Sequence, residues 1–351
     1  MPIVDRICRR ADAPVEFVEN ENAVYRSVSE SGDPVSFGKQ VLFLTRNKGR
    51  FIRRCPGTRH YTCCRYKILH IGTYCTMDCA YCILQTYFHP PVLQFYVNHS
   101  DLFTGLDDLF SDGRNHRIGT GEFTDSLIWE PWTGFSRQIV PKFADQTRSV
   151  LELKTKTVSI QNLENLCHNR KTITAWSMNT PRIIEAEERN TASLTQRLAA
   201  AAHSQSWGYP LAFHFDPMII YDGCIPEYLE VIDQIFSTVS SRNIVWISLG
   251  TFRFIPSLKS IIQHRFRTSK IVYGEFVPGL DGKMRYFKPL RIELYRAMVE
   301  RIRGHAPDVM VYFCMEDDEV WEKSTGFIPA ERGGLSAMLD NSAKTICGLD
   351  A

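Results

Sequence analysis

The sequence predicts an α/β fold, a partial (βα)6 barrel with an irregular basic N-terminal segment and a C-terminal extension. Two observations carry the prediction. Short β-branched or aromatic runs alternate with amphipathic stretches about six times, the pattern of a parallel sheet wound as a full or partial barrel. The best group of candidate ligands follows the first such run, and barrel folds keep their working residues just past the C-terminal ends of the strands. The length of 351 residues and the hydrophobic content of 44% suit one large domain or two modest ones.

In chain order, residues 1–60 show no sustained period and carry turn signals at Ser31-Gly32-Asp33-Pro34 and Cys55-Pro56-Gly57. The barrel is expected over 61–270, with strands at 66–72, 117–120, 150–154, 172–177, 211–215 and 244–249. The clearest helices are 193–206 and 226–240, the second with Pro226 suited to a first turn and Leu229, Ile232, Ile235 and Phe236 on one face. Residues 271–351 form the extension, with a helix near 291–303, a strand near 309–313 and a weakly patterned tail after Gly326.

No uncharged apolar run approaches the roughly 18 residues of a membrane span, and the charged start MPIVDRICRR is unlike a secretory leader. The 11 cysteines are unevenly spaced in a chain too large to need stapling, so reduced thiols and metal ligands in the cytoplasm are expected rather than a disulfide framework. The net charge of +2 is uninformative, but its distribution is not. From Pro34 to Met77 there is no acidic residue, while Lys39, Arg46, Lys48, Arg50, Arg53, Arg54, Arg59, Arg65 and Lys67 accumulate with Phe51 and Tyr61 interleaved. Such a segment either tracks a phosphate backbone, with DNA as partner, or is a solvated face balanced by acidic segments elsewhere.

After the first strand comes Gly72-Thr-Tyr-Cys75-Thr-Met-Asp-Cys79-Ala-Tyr-Cys82. Three thiolates on one loop can hold three irons of a cubane, leaving a fourth iron open to a small molecule. The competing readings are a zinc site, which prefers four ligands in paired spacings, and a scatter of buried thiols. Cys55, Cys63 and Cys64 are further candidates for a hydrogen-atom donor or a second metal site, with buried reduced thiols as the default. His60, His70 and His214 have no ligand spacing, and core or surface roles are expected of them.

The CxxxCxxC spacing with an aromatic before the last cysteine resembles the signature of radical S-adenosylmethionine (SAM) enzymes. More narrowly, Cys79-Ala-Tyr-Cys82-Ile-Leu-Gln85-Thr86 followed by Gln94-Phe-Tyr-Val-Asn98 is similar to the spore photoproduct lyase family, as are Cys55-Pro-Gly-Thr58, Cys63-Cys64, Gln263-His-Arg-Phe266 and Gly282-Lys-Met-Arg-Tyr286. The resemblance implies a [4Fe–4S] cluster on Cys75, Cys79 and Cys82, SAM as cofactor, a 5′-deoxyadenosyl radical, a reducing partner such as flavodoxin or ferredoxin, and repair of a thymine dimer in DNA.

It also implies site residues. Gly121 and Glu122, ending the second strand, resemble the glycine–acid motif that receives the SAM amino group, and an acid accepting from an ammonium is physically apt there. Thr124 and Asp125 follow in a SAM-contacting segment. Lys156, after the third strand, would pair with the SAM carboxylate, and Ser177 and Asn179, at the end of the fourth, would hydrogen-bond the cofactor. Tyr81 would contact adenine through its backbone. A turn, an exposed lysine and a helix start are the plain alternatives for these positions.

The resemblance departs at two places. Glu122 stands where family members hold a hydrogen-donating cysteine, and Ile83 stands where they hold a tyrosine in a radical relay with the one at 81. Three functions therefore stay open: lesion repair, radical SAM chemistry on a nucleotide, RNA, peptide or metabolite, and a non-catalytic iron–sulfur protein that binds nucleic acid.

Overall fold

In the computed structural model, which describes residues 2–58 and 60–350, eight strands form one curled open sheet. They are β1 (Ile52–Arg54), β2 (Lys67–Leu69), β3 (His116–Gly119), β4 (Ser149–Thr155), β5 (Thr172–Ser177), β6 (Leu211–Met218), β7 (Ile244–Thr251) and β8 (Val311–Phe313), and they stand side by side in chain order. The edge strand β1 is antiparallel to β2, and every later neighbouring pair is parallel. This is the expected partial barrel, with the strand near 309–313 joined to the sheet beside β7.

Every side chain of β5 and of β7 is buried, the near-continuous burial of parallel strands covered on both faces. Helices supply the outer cover. Leu194–Ser206 opens on a capping box in which Ser193 and Gln196 satisfy each other's backbone N–H groups. Cys224–Thr238 buries Tyr228, Val231, Ile232 and Ile235, with Pro226 in its first turn as expected. The tail folds into the helix Leu335–Cys347, which packs on β7.

Residues 1–60 hold more regular structure than their lack of period suggests. Helices run over Pro2–Ala11, Glu21–Ser29 and Pro34–Gly38, the last two capped by the Asn20 and Asp33 side chains. For those two short helices the local signal lies in the caps. The strand Leu42–Thr45 pairs with Leu93–Tyr96, which in turn pairs with Gly72–Thr73 and so backs the loop that follows. Arg59 of the basic stretch lies outside the described residues.

Candidate active site

The loop from Cys75 to Cys82 leaves Gly72–Thr73 through Tyr74, which holds φ +69 and donates its N–H to the Phe123 carbonyl at 2.9 Å. Two residues of the loop, Asp78–Cys79, pair antiparallel with Glu188–Arg189, and the Ala80 N–H donates to the Glu187 carbonyl at 2.8 Å. The buried Gln85 amide donates to the carbonyls of Cys79, Ala80 and Cys82 at 3.3, 3.2 and 3.3 Å. Its oxygen accepts from Arg265, which also donates to Asp78 at 2.9 Å, where Lys39 donates at 2.6 Å. One amide and one carboxylate thus fasten a loop with little periodic structure of its own.

Cys75, Cys79 and Cys82 are free thiols lining one small cavity with Lys39 and Tyr74. Burial pushes all three up, Cys75 to about 12, against the opposing pull of Lys39 on Cys75 and of Lys156 on Cys79. Coordination to a metal deprotonates a thiol outright and reverses that balance. The residues fit an iron–sulfur cluster: three thiolates from one loop, with two lysines beside them to offset the negative charge of the assembly. Structural zinc takes four ligands, whereas a cubane spreads three thiolates over separate irons and leaves the fourth open.

Behind the loop lies a buried network. The Tyr81 hydroxyl donates to Glu188, whose other oxygen accepts from Arg197. Arg197 also donates to the Ser177 and Ala192 carbonyls at 2.8 and 2.9 Å. Burial works to raise the Glu188 carboxyl, but Arg197 and Lys156 outweigh it and hold the group below its usual range. Asn179 donates to Glu188 at 3.4 Å and to the Pro217 carbonyl at 3.0 Å, and accepts from Tyr228 at 2.7 Å. Asn179 and the Tyr81 hydroxyl are thereby engaged within the protein.

Asp125 ties two strand ends together. It accepts from the Leu127 N–H at 2.9 Å, the Thr155 hydroxyl at 2.7 Å and the Lys156 N–H at 2.8 Å, while burial raises its carboxyl. Thr124 precedes it, buried. The Lys156 ammonium lies 5.6 Å from the centre of the Tyr81 ring. A Cβ on Gly121 would meet the Lys154 carbonyl and the Ser126 hydroxyl, each at 3.1 Å, so no larger residue fits without movement.

Glu122 is half-buried and lies within electrostatic reach of Lys154, Cys55, Cys314 and Tyr66. Beneath it, Glu152 accepts from His214 at 2.8 Å, Trp246 at 2.9 Å and Tyr66 at 2.8 Å. Asp216 and Arg253 make a two-pronged ion pair with both contacts at 3.1 Å. His214 is thus a core residue, as expected, and so is His70, buried with burial lowering it to about 4. Sequence reasoning missed Gln85, Glu188, Arg197, Lys154, Asp216, Arg253 and Cys314. Of these, Lys154 and Cys314 stand near strand ends, where the barrel rule directs the search.

The basic stretch divides in two. Lys39, Arg46 and Lys48 pair with Asp78, Asp101 and Glu21. Arg50, Arg53, Arg54 and Arg65 are exposed. No helix among the described residues is long and apolar enough to cross a membrane.

Comparison with known proteins fits this geometry. A family model described as spore photoproduct lyase matches residues 61–284. The chain is 25% identical over 255 residues to the spore photoproduct lyase of Clostridium acetobutylicum, covering 72% of this chain and 71% of that one. It is 24% identical over 240 residues to the Bacillus subtilis protein of the same name, covering 67% and 68%. Its fold is that of a solved spore photoproduct lyase variant with bound AdoMet and dinucleoside spore photoproduct, at a TM-score of 0.70 and 22% identity over 87% of this chain and 88% of that one. A second such structure, complexed with dinucleoside spore photoproduct, gives 0.70 and 21% over the same shares of 87% and 88%.

Proposed function

We propose, on the premise that the chain belongs to the spore photoproduct lyase family of radical SAM enzymes, that it binds a [4Fe–4S] cluster on Cys75, Cys79 and Cys82, cleaves SAM, and acts as a carbon–carbon lyase on a thymine dimer in DNA. The observation that carries the reading is the fastened loop of three free thiols with Lys39 and Lys156 beside it. When bound, the cluster supplies the electron that breaks the SAM carbon–sulfur bond and yields a 5′-deoxyadenosyl radical.

The chain's own residues bind and orient. Lys156 pairs with the cofactor's carboxylate, and a charge-assisted contact of this kind is among the stronger hydrogen bonds. Asp125 fixes the backbone N–H groups of Leu127 and Lys156, so the turn carrying that lysine keeps its place. Gly121, Glu122 and Thr124, which follow β3, and Ser177, at the end of β5, are the remaining candidate contacts to the cofactor, while Asn179 holds Glu188 and Tyr228 in the network behind the loop. The exposed Arg50, Arg53, Arg54 and Arg65 suit a phosphate backbone, and a dimerised base is cheaper to flip out of a duplex than an intact one. Reducing power would come from a flavodoxin or ferredoxin in the cytoplasm.

A second reading rests on position 122. A carboxylate within electrostatic reach of the half-buried Lys154 is no hydrogen-atom donor, and it favours a substrate with polar groups to recognise, such as a nucleotide, RNA, peptide or metabolite. The experiment is anaerobic: reconstituted protein, dithionite, SAM and an oligonucleotide carrying the spore photoproduct. Conversion of the lesion back to two adjacent thymidines in the oligonucleotide, above the no-enzyme control, supports repair, while deoxyadenosine without that conversion moves the assignment to the second reading.

A further inference from the structure

A second basic face borders the cluster loop, far in sequence from the stretch around Arg50 to Arg65. Between Asp233 and Glu275 the chain holds no acidic residue. Within that interval the helix Pro256–Arg265 packs on the turn Leu84–Tyr87, which follows Cys82 in the chain. Leu258 and Ile262 are its buried side, while Lys259, Gln263 and His264 are exposed. Past the helix, Arg267, Lys270 and Tyr273 are exposed as well, and on the turn itself so is Tyr87. Lys259, Arg267 and Lys270 make no ion pair among the described residues.

Geometry joins this face to the cysteines. The buried Phe266 has the Arg265 guanidinium 4.9 Å and the Arg189 guanidinium 4.5 Å from its ring centre. Both cations reach Asp78 in the cluster loop, at 2.9 and 3.9 Å. Arg265 also donates to the Gln85 oxygen, and the amide nitrogen of that side chain donates to the Cys79 and Cys82 carbonyls. A protein seated on Arg265 would thus stand two hydrogen bonds from the backbone of two of the three cysteines. Asp78, and Asp33 within electrostatic reach, offset part of the Arg265 charge, so the unpaired Lys259, Arg267 and Lys270 supply the attraction.

We propose that the face made by Lys259, Arg267, Lys270 and Tyr273 docks an acidic one-electron carrier protein, which delivers its electron to the cluster loop past Arg265 and Gln85. The inference rests on the SAM-dependent reading, in which each cleavage consumes one electron from outside. A reduced carrier of the flavodoxin or ferredoxin class gives up that electron and leaves oxidised by one; no atom is transferred. Unpaired surface cations steer an acidic partner and speed association, and a small electrostatic contact lets it leave after the transfer, as electron-transfer encounters require. A phosphate backbone is acidic too, but it brings no electron, and the exposed arginines at 50, 53, 54 and 65 offer it a separate face. The position against the outside of the fastened loop therefore favours the carrier.

The experiment compares the anaerobically reconstituted full chain with its charge-reversed variant K259E/R267E/K270E, whose three positions are exposed and touch none of the proposed cofactor contacts. Titration calorimetry with an acidic flavodoxin at low salt should show binding by the parent, weakened about tenfold or more in the variant, and weakened likewise in the parent by about 0.5 M salt. Deoxyadenosine formed with subsaturating reduced flavodoxin should fall about tenfold in the variant, while its formation with dithionite and the affinity for duplex DNA stay as in the parent. The neutral variant K259Q/R267Q/K270Q, with a smaller loss in the same direction, answers the question if the reversed one does not fold. Equal flavodoxin affinity in parent and variants, a parent that binds no flavodoxin, or a loss of duplex affinity in place of flavodoxin affinity would overturn the proposal. A parent that leaves SAM intact with dithionite would instead sink the SAM-dependent reading, and the calorimetric difference would still decide what the face binds.

Discussion

The ion pair of Arg197 and Glu188 is where the cofactor side of the site is most exposed to a single change. The two side chains are 0% and 1% exposed, and Tyr81 and Asn179 donate to the same carboxylate. Glu188→Gln removes the negative charge and leaves a buried guanidinium with neutral acceptors, the Ser177 and Ala192 carbonyls and the Thr191 hydroxyl. Breaking a buried pair from one side costs about 3–5 kcal/mol. With an unfolding entropy of about 2.1 cal/mol/K per residue over 351 residues, that corresponds to a melting temperature lower by about 4–7 °C. Differential scanning calorimetry of the parent and variant chains measures the shift. The double variant E188Q/R197M, which removes the stranded charge, should recover most of it. Because Glu188–Arg189 pairs with Asp78–Cys79, Glu188→Gln should also release iron faster under chelator. A variant that melts within about 1 °C of the parent, or a double variant no better than E188Q, would refute the reasoning.

Three further outcomes follow from the same geometry. Burial opposes ionisation of Glu152, yet His214, Lys154 and Trp246 outweigh it and hold the group at about 2 instead of 4.5. A depressed carboxyl contributes stability that is present above 4.5 and lost as pH falls toward 2, so Glu152→Gln should flatten that part of the acid unfolding curve; parallel curves for parent and variant would contradict this. Lys156→Met should weaken SAM binding, read by calorimetry on reconstituted protein, by about 10- to 100-fold, the worth of one charge-assisted hydrogen bond, and an unchanged Kd would remove the lysine from the site. Gly119→Ala sets a Cβ 1.5 Å from the Tyr66 hydroxyl, which must then leave Glu152. It should cost about 1–3 kcal/mol or more in denaturant unfolding, and equal stability would mean that Tyr66 moves freely.

What the sequence made legible follows from the range of the interactions. The run 172–177 is a strand with those bounds, because the β-branched Thr172, Ile173 and Thr174 and the aromatic Trp176 write strand preference into the local sequence. The three cluster cysteines sit within one loop, so their spacing alone discloses them. The strand near 309–313 was visible, but nothing local says that it pairs with β7. The fastening of the loop was invisible for the same reason: Arg265 is 180 residues from Gln85 and 187 from Asp78. Likewise the charge run from Lys39 to Lys67 reads as uniformly basic, whereas Lys39 is turned inward onto Asp78, 39 residues away. Cys314 follows a strand end and meets the same limit, since from sequence its strand reads as part of the extension.

The central claim is that the loop of Cys75, Cys79 and Cys82 supports reductive SAM cleavage, and the most direct measurement is 5′-deoxyadenosine formed by the anaerobically reconstituted chain with dithionite and SAM. The account predicts deoxyadenosine in excess over a cluster-free control and none from C75A/C79A/C82A; a chain loaded with iron and sulfide that leaves SAM intact would contradict it.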